Sequence, residues 1–274
     1  MVDPAKHKET ETIEVFDRLA LKRTRQRAAK RFEDYTFLHD FVHKQIKERL
    51  EDIKRDFERP HNIQHDDFDG DIESLGFEPE SKDMITSALN LHSINDLPGA
   101  LLQIRRALKP DGLFIAAMFG GETLYELRES LMRAELSLKG GASPRVFPFA
   151  DKQQMGALLQ RAGFALPVVD SEIITVTYES MFKLMHDLRG MGESNVIGAR
   201  SRLNPGKAFF MKAAEYYQDN FAEADGRIKA SFEIIFLIGW APADTQQQPL
   251  KPGSAKNRLA DALNAQEIKA GDNP

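Results

Sequence analysis

Apolar residues recur at three- and four-residue spacing through Phe32, Tyr35, Leu38, Phe41, Val42, Ile46 and Leu50, a stripe that predicts a helix with one buried face. With the stretch before it, the pattern predicts two helices between about 11 and 57. The chain then turns polar and acidic from 59 to 80, and the pattern predicts a loop there. Beyond it the pattern becomes α/β. Asp83–Leu91 is a strand candidate, and Leu101, Ile104 and Leu108 mark a helix over 97–108. Lys109-Pro110-Asp111-Gly112 should stop that helix and turn the chain. Leu113–Phe119 is almost wholly apolar, as a strand is when both faces of a parallel sheet are covered. Strand, helix, turn and strand in that order predict a right-handed crossover.

Further helices are expected at about 122–138, 151–162, 181–188 and 207–221. Strands are expected at 172–178 and 230–240. Gly163 is placed to close the helix before it. The expected fold is therefore α/β, a Rossmann-like sheet reduced in its first half. A helical segment (1–57) precedes the α/β part (58–241), and a polar, proline-bearing tail (242–274) follows and is expected to be flexible.

Composition narrows the function classes. At 274 residues the chain is long enough for a sizeable core, and its 42% hydrophobic and 29% charged content is ordinary for a globular protein. No apolar run approaches the length of a membrane span. The absence of cysteine removes disulfides, thiolate metal sites and thiol nucleophiles, and it fits a reducing cytoplasm. A net charge of −5 gives no global reason to expect nucleic-acid binding. The local exception is Arg18–Arg31, which holds seven basic residues and no acid. It is either a solvated helix face or a docking surface for an acidic partner, a membrane or RNA.

Three segments together carry a resemblance. Lys82–Asp96 (K-D-M-I-T-S-A-L-N-L-H-S-I-N-D), Leu97–Phe114 (L-P-G-A-L-L-Q-I-R-R-A-L-K-P-D-G-L-F) and Ala116–Arg128 (A-A-M-F-G-G-E-T-L-Y-E-L-R) resemble the methyltransferase type 11 group of class I S-adenosylmethionine-dependent enzymes. The third segment, with Asp187–Asn195 (D-L-R-G-M-G-E-S-N), is similar to the branch containing mitochondrial complex I assembly factors and their bacterial relatives. The resemblance implies S-adenosylmethionine as cofactor and a protein or small-molecule methyl acceptor. It also raises a respiratory complex subunit as a possible partner.

The chain departs from that pattern where the cofactor should sit. Such enzymes open their sheet with a strand that ends in a Gly-x-Gly turn, where any side chain would block the backbone's approach to the cofactor. No glycine precedes Gly70, and the lone G-x-G, Gly190-Met191-Gly192, follows a helix. Only 25 residues separate Phe57 from Asp83, whereas one strand–helix–strand unit takes roughly 30. Two readings follow: a methyltransferase with an altered cofactor site, or a non-catalytic relative that binds partners through the surviving half. A hydride-transferring dehydrogenase is disfavoured by the same missing turn.

By the resemblance, Asp71 and Glu73 correspond to an acidic turn near the adenine, and Asn90, Leu91 and His92 would border the methyl-donor pocket. His92 follows a strand's C-terminal end, where open α/β sheets bind ligands, so it is a candidate general base; a plain loop histidine is the alternative. Gly120, Gly121, Glu122 and Thr123 follow the next strand at the same edge and are candidates for substrate contact or simply for helix capping. Arg145 and Arg128 are candidates for an anionic group, and Glu193, Ser194 and Asn195 form a polar cluster that the resemblance favours. His61 and His65, with the aspartates after them, lack calcium-loop spacing and are read as loop, so no metal is expected.

Overall fold

The computed structural model describes residues 14–64 and 73–247. Seven helices are described: α1 (Arg18–Ala29), α2 (Phe37–Asp52), α3 (Leu97–Ala107), α4 (Tyr125–Lys139), α5 (Lys152–Arg161), α6 (Met181–Gly190) and α7 (Lys207–Phe221). Five strands, β1 (Pro60–Ile63), β2 (Lys82–Ala88), β3 (Leu108–Phe119), β4 (Ala165–Tyr178) and β5 (Ile228–Trp240), form one sheet in the order β1-β2-β3-β5-β4. The first three run parallel, and β5 is antiparallel to both of its neighbours.

Alternation along β3 assigns the layers. Leu113, Ile115, Ala117 and Phe119 face a core shared with α2, α4, α6 and α7, while Phe114, Ala116 and Met118 face α3 and α5. The apolar run of β3 is thus buried on both faces, as expected. Tyr35, Leu38, Val42 and Ile46, the predicted helical stripe, join the first of these cores. No helix among the described residues is long and apolar enough to cross a membrane.

The elements differ from the sequence expectation in three places. Lys109–Gly112 does not form a turn: it lies inside β3, whose register against β2 shifts between Lys82 and Met84, with Asp111 at φ 60°. A bulge absorbs the Pro-Asp-Gly irregularity within the strand, and Arg55 Nη1 holds Asp111 through its carbonyl (2.6 Å) and carboxylate (2.7 Å). β4 begins seven residues earlier than the pattern indicated, because as an edge strand it alternates between half-buried and exposed positions. Pro60–Ile63, expected to be loop, is a short strand parallel to β2, and only Ile63 in it is fully buried. The tail expected beyond 241 lies outside the described residues from 248 onward.

The Gly190-Met191-Gly192 element serves packing. The Tyr35 ring lies where a Cβ on Gly190 would be, 2.4 Å from its carbons, and Gly192 takes the left-handed φ of 83° that turns the chain back against α1. Gly190→Ala is therefore expected to cost about 1–3 kcal/mol in urea unfolding. Tyr35→Ala should cost less in that background than in the wild type. Equal costs in both backgrounds would show that the two residues do not meet.

Candidate functional site

The C-terminal ends of β2 and β3 bring together much of what the sequence singled out. After β2 the chain makes a tight turn through Leu91–Ser93, and this directs His92 inward until its side chain is fully buried. His92 Nε2 lies 3.1 Å from Glu193 Oε2, and Phe119, Phe149 and Phe147 surround the ring at centroid distances of 4.8, 5.8 and 6.3 Å. Burial by itself would raise the Glu193 pKa. The charge and hydrogen bond of His92, joined by Arg25 and His39, reverse this and hold it below the usual carboxylate range. An ionised Glu193 accepts from Nε2–H, so in the neutral ring Nδ1 is the acceptor. Nδ1 is buried with no hydrogen-bond partner among the described residues, as are His39 Nδ1, Ser87 Oγ, Arg105 Nε and Tyr178 OH.

Glu193 belongs to the loop after α6. Its amide donates to Leu188 O, and Arg25 of α1 sits beside it while donating to Ser93 Oγ at 2.8 Å. A cavity of about 40 Å³, room for little more than one water, is lined by Phe119, Thr123, Arg145, Phe147, Glu193 and Asn195 among others. Four of the predicted substrate residues therefore share one small cavity. Each of the four is also engaged within the protein.

Arg145 grips Glu135 with both ends of its fork (3.0 and 2.7 Å) and stacks over Phe209 at 4.4 Å. The hydrogen bond from Arg145, followed by those of Ser143, outweighs burial and holds the Glu135 carboxyl down to about 2. Asn195 donates to Pro144 O and accepts from the Ile197 amide. Thr123 Oγ1 both donates to Glu233 O and accepts from Glu233 N, and the Glu122 amide donates to the Glu233 carboxylate. Gly120 is required because the Glu233 carboxylate lies 2.6 Å from where its Cβ would be. Gly121 has open space apart from Phe149 O, the Glu122 side chain is exposed, and Arg128 donates to the carbonyls of Gly121 and Thr123.

The residues assigned to the cofactor do not form a comparable group. Glu73, at φ 49°, is buried and directs its carboxylate to the amides of Asn95 (2.9 Å) and Asp96 (2.7 Å) and to the Arg18 guanidinium. It anchors α1 to the start of α3. Asn90 Nδ2 donates to Ile63 O and Ala88 O, which ties the end of β1 to the end of β2, and Leu91 is buried in the core below α3. Asp71 and His65 lie outside the described residues. His61 is in β1 with its ring against Phe77, and among the described residues no group of three or more potential metal ligands occurs.

S-adenosylmethionine, the cofactor the resemblance implies, binds class I folds where the first strands end. Here the Asn90 amide occupies that gap and spends both N–H donors on carbonyls of β1 and β2. The cavity beside Glu193 is far too small for a nucleoside. Of the residues assigned to the cofactor, Glu73, Asn90 and Leu91 are each engaged within the protein.

Sequence reasoning missed His39 and Arg25. His39 lies beside the apolar stripe of α2 that the pattern identified, yet nothing local signals its approach to Glu193 from 154 residues away. Burial pushes the His39 pKa down to about 4.

Comparison with known proteins agrees with this architecture. A family model described as a methyltransferase domain matches residues 23–116. The mouse (Mus musculus) mitochondrial arginine-hydroxylase NDUFAF5 is 39% identical over 294 residues, covering 93% of this chain and 85% of the mouse protein. The Danio rerio protein of the same name is 46% identical over 191 residues, 70% of this chain, and the match spans only 59% of the fish protein's length. A malonyl-[acyl-carrier protein] O-methyltransferase of Nitrosospira multiformis is 37% identical over 174 residues, covering 64% of this chain and 54% of that enzyme.

Two outcomes are expected at the site. Between pH 6.5 and 4 the unfolded chain protonates residue 39 while the folded chain keeps it neutral, so stability falls as pH falls through that window. His39→Phe should flatten this part of the stability–pH curve by about 1–3 kcal/mol; an unchanged slope would remove His39 from the cause. Arg145→Met leaves Glu135 with Ser143 and the more distant Lys139 Nζ (3.8 Å) and should cost about 1–3 kcal/mol at neutral pH. Glu135 must protonate as pH falls between 4.5 and about 2, so the deficit should shrink across that range.

Proposed function

We propose, from the premise that the chain belongs to the methyltransferase-domain family, that it works as a binding or assembly factor through the half of the fold that survives, without S-adenosylmethionine. The observation that carries this reading is Asn90, whose side chain closes the ends of β1 and β2 where the cofactor would lie. Among the described residues β1 is the edge of the sheet, with no further strand beside it to extend the crevice. The resemblance to complex I assembly factors makes a respiratory complex subunit the favoured partner class. The cytoplasm is the proposed compartment, on the absence of cysteine.

A second reading is favoured by a separate observation. His92 Nδ1 is buried, partnerless and oriented through Glu193, an arrangement suited to removing a proton from an acceptor. In that reading the chain is a methyltransferase acting on a protein or small molecule, with its altered cofactor site completed by residues other than those described. Arginine hydroxylation, named for the mitochondrial relatives, is a two-electron oxidation of a C–H bond, which a general base alone does not perform, so the His92 geometry supports only the proton-removal reading.

Titration with S-adenosylmethionine by calorimetry and thermal shift separates the readings. The binding-factor reading expects no saturable heat and no shift in melting temperature at about 1 mM ligand. A dissociation constant near 100 μM would stabilise the fold by about 1.4 kcal/mol at that concentration, which a melting curve resolves. Such a result would sink the first reading in favour of the second.

A further inference from the structure

A second cavity is lined in part by residues 194–196 of the loop that carries Glu193. It measures about 480 Å³ and opens between α1 and α6. Arg27, Arg31, Arg189 and Arg200 line it, with His186 and the hydroxyl-bearing Thr24, Tyr35 and Ser194, and no carboxylate is among its lining residues. Arg31 and Arg200 each have an acidic neighbour, Asp34 and Asp17 respectively. Arg27 and Arg189 have no acidic partner among the described residues; Arg27 donates only to the Arg23 carbonyl.

Arg27, Arg31 and Arg189 are exposed and Arg200 is half-buried, so the lining presents guanidinium groups to solvent. The chain as a whole carries a net charge of −5, so this is a local concentration of positive charge in an acidic protein. The arginines come from different parts of the chain: Arg27 from α1, Arg31 just after its end, Arg189 from α6 and Arg200 from the loop that follows. The volume falls within the range of small-molecule sites, and planar guanidinium forks match the oxygens of a phosphoryl group, with hydroxyls available to the remaining oxygens.

We propose that this cavity is a binding site for a small phosphorylated molecule carrying at least two negative charges, with Arg27 and Arg189 as its principal ligands. The site assigns part of the basic Arg18–Arg31 run a role: Arg27 and Arg31 serve the cavity, while Arg18 and Arg25 face inward to Glu73 and Ser93. The proposal does not depend on the reading of the His92 site, since its ligand and its test involve neither S-adenosylmethionine nor a methyl acceptor.

Inorganic pyrophosphate is the probe. Calorimetry on the full chain at about 50 mM salt should give a dissociation constant below about 1 mM, weakening several-fold at about 200 mM salt as the charges are screened. Arg27→Ala and Arg189→Ala should each raise it roughly 5- to 10-fold. Arg23→Ala, on the same helix but outside the cavity, should leave it unchanged. Melting curves of the variants confirm that each is folded, and Arg27→Gln provides a second substitution that keeps the length and polarity of the side chain. Absence of pyrophosphate binding would overturn the proposal, as would binding that Arg27→Ala and Arg189→Ala do not weaken. A hexaglutamate peptide that binds more tightly than pyrophosphate and displaces it would also overturn it, in favour of an acidic protein segment.

Discussion

Neighbouring parallel strands must be joined by chain that travels back along the sheet before the second strand starts. Between Ile63 and Lys82 only 18 residues are available for this. That length can return the chain once, but it cannot build the additional strand–helix units of a full class I sheet. Much of the architecture follows from this constraint. β1 becomes the edge of the sheet, the ends of β1 and β2 lie close enough for one asparagine side chain to bridge them, and Glu73 is brought directly over the start of α3. The other half, from β3 to β5, is unaffected because its core depends on the alternation within β3 and β5 and on helices that do not involve the shortened segment.

Polar residues at the strand ends show how the fold uses groups that resemble a binding site. Glu233, Thr123 and Gly120 form a closed set in which the carboxylate, the hydroxyl and two amides satisfy one another. Glu135 and Arg145 do the same beside α7. Buried polar groups without partners cost about 1–3 kcal/mol each, so a fold that places them at a sheet edge has to pair them internally or with a ligand. His92 Nδ1 is an exception: its ring is packed among three phenylalanines, and its second nitrogen is left without an acceptor or donor. That imbalance distinguishes His92 from Arg145 or Glu73 as a candidate for chemistry.

The fold class was legible because periodicity carries it. The stripe from Tyr35 to Ile46 and the apolar run of β3 both pointed to their observed burial. Pro60–Ile63 was not legible: a four-residue edge strand with one buried side chain leaves no alternation to detect. Lys109–Gly112 misled for a related reason, since proline and glycine mark irregular backbone but do not say whether a turn or a bulge accommodates it. At the site, residue type and position after a strand brought Thr123, Arg145, Glu193 and Asn195 together correctly. What position could not reveal was partnership. Whether an arginine faces a ligand or a buried glutamate depends on contacts across the fold, and Glu135 with Arg145 or Arg18 with Glu73 become visible only in three dimensions.

Glu193 links the two sides of the molecule. It stands next to Ser194 in a loop whose turn is set by Gly192, and this loop contributes to both cavities, with Asn195 lining each of them. Glu193 looks toward His92 and the small cavity, whereas Ser194 looks into the arginine-lined one. Were Glu193 turned outward, its carboxylate would neutralise part of the charge supplied by Arg27 and Arg189. Its place beside His92, with Arg25 holding the same region from α1, keeps that charge unopposed. The buried histidine–glutamate pair and the basic cavity thus share one loop, and Tyr35 packs on Gly190 immediately before it.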